Sequence, residues 1–230
     1  MTHRDSATMR RSTPVLGREV LITPVPPAQR ATAALLAARA MQDNPMHVAV
    51  LGPDLSRRVE VMNRAFGVLL APAHRHVLGA WHGDRLVGIA ASTSSRHCQP
   101  DRGQWLRFPP TLLRAGWRGP RLLRWLAAWS RRDPAVPHSH LGPVAVDPLV
   151  RGQGVGSRLL AEYVGGLDRD GKAGYLETDE AENVRLYRRF GFEVVARADV
   201  LGVPNWFMLR PAQPVPLPAA VRRSPGPPPT

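Results

Sequence analysis

Lysine is nearly missing from this chain: of 31 basic residues only Lys172 is a lysine, and arginine supplies the rest. Beside abundant alanine, glycine and proline, that bias is the imprint of a GC-rich coding genome and points to a bacterial source. Codon usage accounts for arginine in place of lysine, but not for 31 bases against 18 acids. The net charge of +13 therefore keeps a physical meaning, an affinity for anions such as cofactor phosphates, nucleic acid or a lipid surface. Cysteine is scarcer still. Cys98 stands alone, which excludes an intrachain disulfide, gives no sign of an oxidising compartment, and reads as a small hydrophobe rather than a nucleophile. No run reaches the ~18 apolar residues that would cross a bilayer. The N-terminal MTHRDSATMRRSTPVLG has arginines but no apolar stretch behind them, so the expected location is cytoplasmic. Aromatics are only 6% of the chain, yet 43% hydrophobic residues is ordinary for a soluble globular protein and excludes disorder throughout. No repeat of fixed period is visible.

A chain of 230 residues suits one domain with a real core. Residues 1–17 are polar and unpatterned and residues 211–230 are too proline-rich to pack, so both read as disordered tails around a folded unit of 18–210. REVLITPV predicts a strand. PPAQRATAALLAARAMQDNP predicts a helix, with two prolines to open it and one to close it. A second helix is expected over Leu55–Leu70, where Val59, Met62, Phe66 and Leu69 recur at helical spacing. RHVLGAWHGDRLVGIAAST reads as a hairpin turning at His82-Gly83-Asp84. After a basic, tryptophan-rich insert, HSHLGPVAV is a strand, residues 152–168 a helix, KAGYLET a strand and AENVRLYRRF a helix. FEVVARADV and VPNWFMLRP close the chain as paired strands. The fold class is α/β in a single domain, with element order β-α-α-β-β before the insert and β-α-β-α-β-β after it.

The stretch VRGQGVGSRLL, between a strand and a helix, carries almost no side chains. Such a turn exposes unpaired backbone N–H groups at the positive end of a helix dipole, which suits a pyrophosphate. Gly152, Gly154 and Gly156 let the backbone approach closely, and Arg151 adds a cation at the rim. A P-loop would need Lys-Ser/Thr after its last glycine, and Gly156-Ser157-Arg158 does not supply it. The dinucleotide fingerprint fails at Ser157, and its loop belongs near a domain's first strand.

Arg151-Gly152-Gln153-Gly154-Val155-Gly156 does fit the R/Q-x-x-G-x-G/A signature of the GNAT family of N-acetyltransferases. LGPVAVDPLVRGQGVGSRLL, YLETDEAENVRLYRRFGFEVVARADV and WFMLRP resemble the C-terminal half of its puromycin N-acetyltransferase-like members over about 75 residues. The resemblance implies a mixed, mostly antiparallel sheet flanked by helices. It implies acetyl-CoA as cosubstrate and direct acetyl transfer to a primary amine of a small molecule. Coenzyme A and the amine are the expected partners, with a homodimer left open and no obligate nucleic acid. The pyrophosphate would lie on Gly152, Gln153, Gly154, Val155, Gly156 and Ser157 beside Arg151. The pantetheine amides would pair with backbone freed at Val144, Ala145 and Val146, where the strand splays from its neighbour.

By the same resemblance Tyr187 is the general acid, protonated at neutral pH with an ordinary pKa near ~10. Asn183, one turn before it, contacts the cofactor or instead caps its helix. For the base, Glu177 and His140 (or His138) compete, against the alternatives of an arginine-paired carboxylate and a core histidine. His74-x-His76 and His138-x-His140 each place two imidazoles on one strand face. With no carboxylate or cysteine at ligand spacing, and a reaction that needs none, no metal is expected.

The insert, residues 104–132, puts Leu122, Leu123, Leu126 and Trp129 on one helical face and Arg121, Arg124, Arg131 and Arg132 largely on the other. That profile suits an anionic membrane or a phosphate backbone. Its place between hairpin and cofactor strand suits instead the wall of an acceptor pocket, with Trp105, Trp117 and Trp125 binding the substrate. The rival reading of the whole chain is a catalytically silent protein of the same fold that binds nucleic acid or a membrane surface.

Overall fold

Two apolar runs either side of Gly83 make the hairpin that organises the sheet. They are β2 (His76–His82) and β3 (Arg85–Ser94), with Gly83 at a positive φ of 60° in the turn. The computed structural model describes residues 20–99 and 101–214. The tails expected at 1–17 and over most of 211–230 lie outside the described residues. Around the hairpin stand β1 (Leu21–Pro24), β4 (His138–Val146), β5 (Ala173–Thr178), β6 (Glu193–Val200) and β7 (Val203–Arg210). The seven strands run in the order β1-β2-β3-β4-β5-β7-β6, and every neighbouring pair is antiparallel except β4 and β5. This is the mixed, mostly antiparallel sheet expected from the sequence.

Helices cover both faces. On one lie α1 (Arg30–Ala40), α2 (Pro45–Leu51), α3 (Leu55–Leu70) and α6 (Gly119–Ser130), which share a core with Val77, Ile89, Ala91 and Val203. On the other, α7 (Val155–Asp170) and α8 (Ala181–Arg188) bury Leu159, Leu160, Val184 and Tyr187 against Val87, Leu141, Leu176 and Met208. The inner side of α1 is almost all alanine (Ala33, Ala34, Ala37 and Ala38, each at most 1% exposed). Side chains that small bring its backbone close to the core, and enlarging one would force strain rather than add useful burial.

Three elements depart from expectation. Pro45 does not only end the first helical run; it stands at the first position of α2, which the sequence reading missed. A proline there gives up an N–H that would be unpaired anyway. The helix expected from residue 152 begins at Val155, because Gly152 and Gly154 take left-handed backbone before it. The insert forms α4 (Arg102–Arg107), α5 (Pro109–Ala115) and α6, and α4 opens with a capping box between Asp101 and Gln104. Among the described residues no helix is long and apolar enough to cross a membrane.

Candidate active site

The parallel pair β4–β5 stays together for only three positions, His138↔Ala173, Ser139↔Gly174 and His140↔Tyr175. Beyond them β4 keeps its partner β3 and parts from β5. The Asp147 N–H donates to the Val87 carbonyl at 2.9 Å, and Val146, Ala145 and Val144 follow in regular register against Gly88, Ile89 and Ala90. Since strand amides alternate sides, the polar groups of Val144 and Val146 face the opening. Those of Ala145 face β3. Of the three residues expected to offer backbone, Ala145 is thereby corrected: its groups are spent within the sheet.

At the mouth of this opening the chain turns through Gly152 (φ +77°) and Gly154 (φ +80°) into α7. A Cβ built on either glycine meets nothing within 4 Å. The space above them is open, and the left-handed backbone explains why glycine stands there. Gly154 is the N-cap of α7 and no side chain caps that end. The first-turn amides of Val155, Gly156 and Ser157 therefore point outward at the positive end of a 16-residue helix. A pyrophosphate fits such a cradle. Arg151 departs from its expected place, since its guanidinium donates to the Ala40 carbonyl at the end of α1. Gln153 lies within the same turn.

Across the opening, α8 carries Tyr187, 7% exposed and edge-on to Phe192 at 6.1 Å. Burial, then the negative charges of Glu180 and Asp179, push its pKa well above the ordinary tyrosine value. The group is thus a hydroxyl, never a phenolate, near neutral pH. Asn183 is not the helix cap: the cap position is Glu180, and Asn183 Nδ2 donates to its carboxylate at 3.0 Å. Asp179, overlooked in the sequence, accepts the Met46 N–H at 2.7 Å and so ties the β5–α8 loop to the start of α2.

On the opposite face, where the two strands still pair, β4 and β5 bring His140 Nε2 to 2.7 Å from Glu177 Oε2. The two rival bases are therefore one hydrogen-bonded couple, with the ring donating. Tyr175 sets the ring edge-on at 5.2 Å and donates its hydroxyl to the Arg132 carbonyl. His138 is held at Nδ1 by the Val136 carbonyl at 2.8 Å. Burial pulls its pKa down, but the Asp133 carboxylate and that carbonyl outweigh burial and raise it.

Asp133, just past α6, lies 3.1 Å from His138 Nε2 and 3.8 Å from His140 Nδ1, and Cys98 Sγ lies 3.6 Å from His138 Nε2. The premise that no carboxylate or thiol stands near this histidine pair is thus corrected. Asp133 was within sight in the sequence, five residues ahead of His138. Cys98, 40 residues away, carried no local signal. Burial first, then the Asp133 and Glu177 charges, push the Cys98 thiol up to about 12, so it is no nucleophile. His74 is not on a strand at all; it precedes β2 and stacks on His97 at 4.2 Å, away from His76.

The insert does not gather its tryptophans. Trp125 is 6% exposed and packs edge-on to His47 and Trp129, a core position rather than a substrate wall. Trp117 is 72% exposed under the Arg118 guanidinium, and Trp105 rests against Phe108. Of the apolar face expected here, Leu122 is buried and Leu126 and Trp129 pack against the core, whereas Leu123 is exposed and Trp125 takes an inner position instead. Several insert arginines are likewise engaged: Arg114 pairs with Glu60, Arg121 donates to the Ala49 carbonyl and Arg132 to that of Ala128. A broad concavity of about 720 Å³ along β6, lined by Arg188, Phe192, Val194 and Arg197, lies off the sheet's outer edge and holds none of the candidate groups.

The sequence profile described as the acetyltransferase (GNAT) family matches residues 52–192. A mycothiol acetyltransferase of Brachybacterium faecium is 46% identical over 57 residues, which are 24% of this chain and only 17% of that protein. Solved structures agree in fold at low identity. A histone acetyltransferase and related acetyltransferase from Corynebacterium glutamicum superposes with TM-score 0.62 at 21% identity, covering 86% of this chain and 99% of that one. An N-acetyltransferase of Staphylococcus aureus gives 0.59 at 15%, covering 82% and 99%. A Salmonella typhimurium protein solved with acetyl-CoA gives 0.50 at 16%, covering 87% and 98%.

Proposed function

Because this chain belongs to the acetyltransferase (GNAT) family, with acetyl-CoA as its cosubstrate, we propose that it transfers the acetyl group directly to a primary amine of a small molecule. The observation that carries the reading is the parting of β4 from β5 after His140↔Tyr175, beside a glycine turn open to a pyrophosphate. Acetyl-CoA supplies an acetyl group already activated as a thioester. Val144 and Val146 offer backbone to its amide-bearing arm, and the amides from Gly152 to Ser157 hold its phosphates.

An amine attacks only when neutral, so a proton must leave it. We assign that proton to the His140–Glu177 couple, taken at His140 Nδ1, with Glu177 holding Nε2–H and stabilising the charged ring, as a carboxylate does for a catalytic histidine. Tyr187 faces the sheet from α8 and keeps its proton, which it gives to the departing sulfur. The acceptor then enters from the face of α2 and α6, where Glu177 lies.

The test is binding and turnover on the purified chain. Acetyl-CoA at a hundredfold excess over its Kd should stabilise the fold by about 2.7 kcal/mol, and a panel of amines should include some that release free thiol. Gly154→Val, at a backbone angle that opposes side chains, should remain folded and lose the protection. Folded protein that gives no calorimetric heat with coenzyme A would sink the proposal. Salt-steep DNA binding without thiol release would favour the silent rival instead.

A further inference from the structure

Around Asp133 the structure gathers four side chains that each carry a lone pair able to bind a metal ion. The Val136 carbonyl can only accept, so His138 donates from Nδ1 and turns Nε2 inward toward Asp133. The Glu177 carboxylate likewise fixes the His140 proton on Nε2 and turns a bare Nδ1 inward. Asp133 Oδ1 stands between them, 3.1 Å from one and 3.8 Å from the other, and is sealed from solvent. Cys98 Sγ completes the group, and all four atoms lie within 4.8 Å of one another. Acceptors that close repel unless a cation sits among them.

We propose that Cys98, Asp133, His138 and His140 form a closed tetrahedral site for a borderline-soft divalent metal ion, zinc above all. Bond lengths of ~2.0–2.3 Å to N, O and S imply ligand–ligand edges of roughly 3.3–3.7 Å. The separations of 3.1, 3.6 and 3.8 Å within the cluster bracket that range. Two anionic and two neutral ligands bring a divalent ion to zero net charge in a half-buried place. A thiolate and two imidazoles exclude magnesium and calcium, which demand oxygen. The outer partners are also those of metal-binding histidines: a carboxylate behind one ring and a backbone carbonyl behind the other. Binding displaces the Cys98 thiol proton to solvent. Four ligands from three chain segments leave no open coordination position, so the metal is not a catalyst here. It engages His140 Nδ1, the atom assigned above to the amine proton, and a loaded chain is an arrested one. That last clause rests on the acetyl-transfer reading; the site itself does not.

The experiment uses the full chain stripped with a chelator and titrated with cobalt(II), then zinc, without acetyl-CoA or amine. One equivalent of cobalt should give the visible bands of a tetrahedral ion and a near-ultraviolet thiolate charge-transfer band, both erased by zinc. Cys98→Ser should abolish the charge-transfer band, and His138→Gln should weaken zinc at least tenfold. Glu177→Gln, behind His140, should cost about 10–100-fold in affinity. No saturable cobalt or zinc binding at micromolar concentration, or binding indifferent to Cys98→Ser and His138→Gln, overturns the site. Full thiol release by zinc-loaded protein overturns the arrest and leaves the site standing, whereas failure of acetyl-CoA to bind leaves the metal spectra untouched.

Discussion

Tyr187, the acid of the proposed reaction, owes its protonated state to where it is buried. Burial and the carboxylates of Glu180 and Asp179 hold the proton on its hydroxyl, so the group enters the reaction with a proton to donate. Tyr187→Phe keeps the packing on Phe192 and removes only that proton. It should lower kcat by about 10²–10⁴-fold while leaving the coenzyme A affinity unchanged; full activity across the pH range would remove Tyr187 from the role. Other single residues show where reading from sequence stopped. The positions of Gly152, Gly154 and Tyr187 followed from a motif whose chemistry is local to one turn and one helix. Ala145 failed because the side to which a strand amide points depends on register with β3. Trp125 failed because periodicity shows which face is buried, not whether it meets a core or a substrate. Glu177 and His140 were named separately, and only the parallel pairing of β4 and β5 made them one couple.

Helix α2 illustrates an ambiguity at the level of elements. A proline after a helical run signals both a stop and a possible first turn, and seven residues are too few for periodicity to decide. What settles the matter is Asp179, distant in sequence, whose carboxylate accepts the Met46 N–H that the short helix cannot satisfy itself. Removing it should be costly in a way that its loop position does not suggest. Asp179→Ala leaves a buried donor unmet and should lower the unfolding free energy by about 1–3 kcal/mol, seen as a lower urea midpoint. Asp179→Asn, which keeps an acceptor, should recover most of the loss. Equal midpoints for alanine and wild type would contradict the cap. The hairpin, β4 and α3 lay where apolar patterning and turn residues put them: α3 buries one face only, whereas β3 is an apolar run buried on both faces and bounded by turn signals.

Across the molecule the excess of arginine turns out to be partly structural. Arg30 donates to the Leu70 carbonyl at the end of α3 and to Pro72 and Arg75 beyond it, and Arg58 to those of Gln42 and Gly52. Arg57 donates to Ala115 at the end of α5 and Arg151 to Ala40 at the end of α1. A fork of donors at the negative end of a helix is a favourable use of a guanidinium, so net charge overstates the surface left for anions. The same core sets a pH dependence. His47, held at Nδ1 by the Met41 carbonyl and edge-on to Trp125, has its pKa lowered by burial; Arg58 adds to this while Asp179 and the Met41 bond oppose it. Below about pH 6.5 the unfolded chain takes up a proton that the folded one refuses. Stability from this group is therefore present above that pH and lost as pH falls toward the folded value. Urea unfolding at stepped pH should show wild type losing stability below about 6.5 faster than His47→Phe; parallel slopes would refute the assignment. Composition, period and the glycine turn were enough for the α/β class, most of the elements and an open turn before α7, because each rests on residues close together in the chain. The splay of β4 was expected from the resemblance, but the register at which its pairing with β5 ends, the His140–Glu177 couple and the gathering of Cys98 and Asp133 on two histidines were decided only by tertiary structure, since they depend on which strands pair and how far.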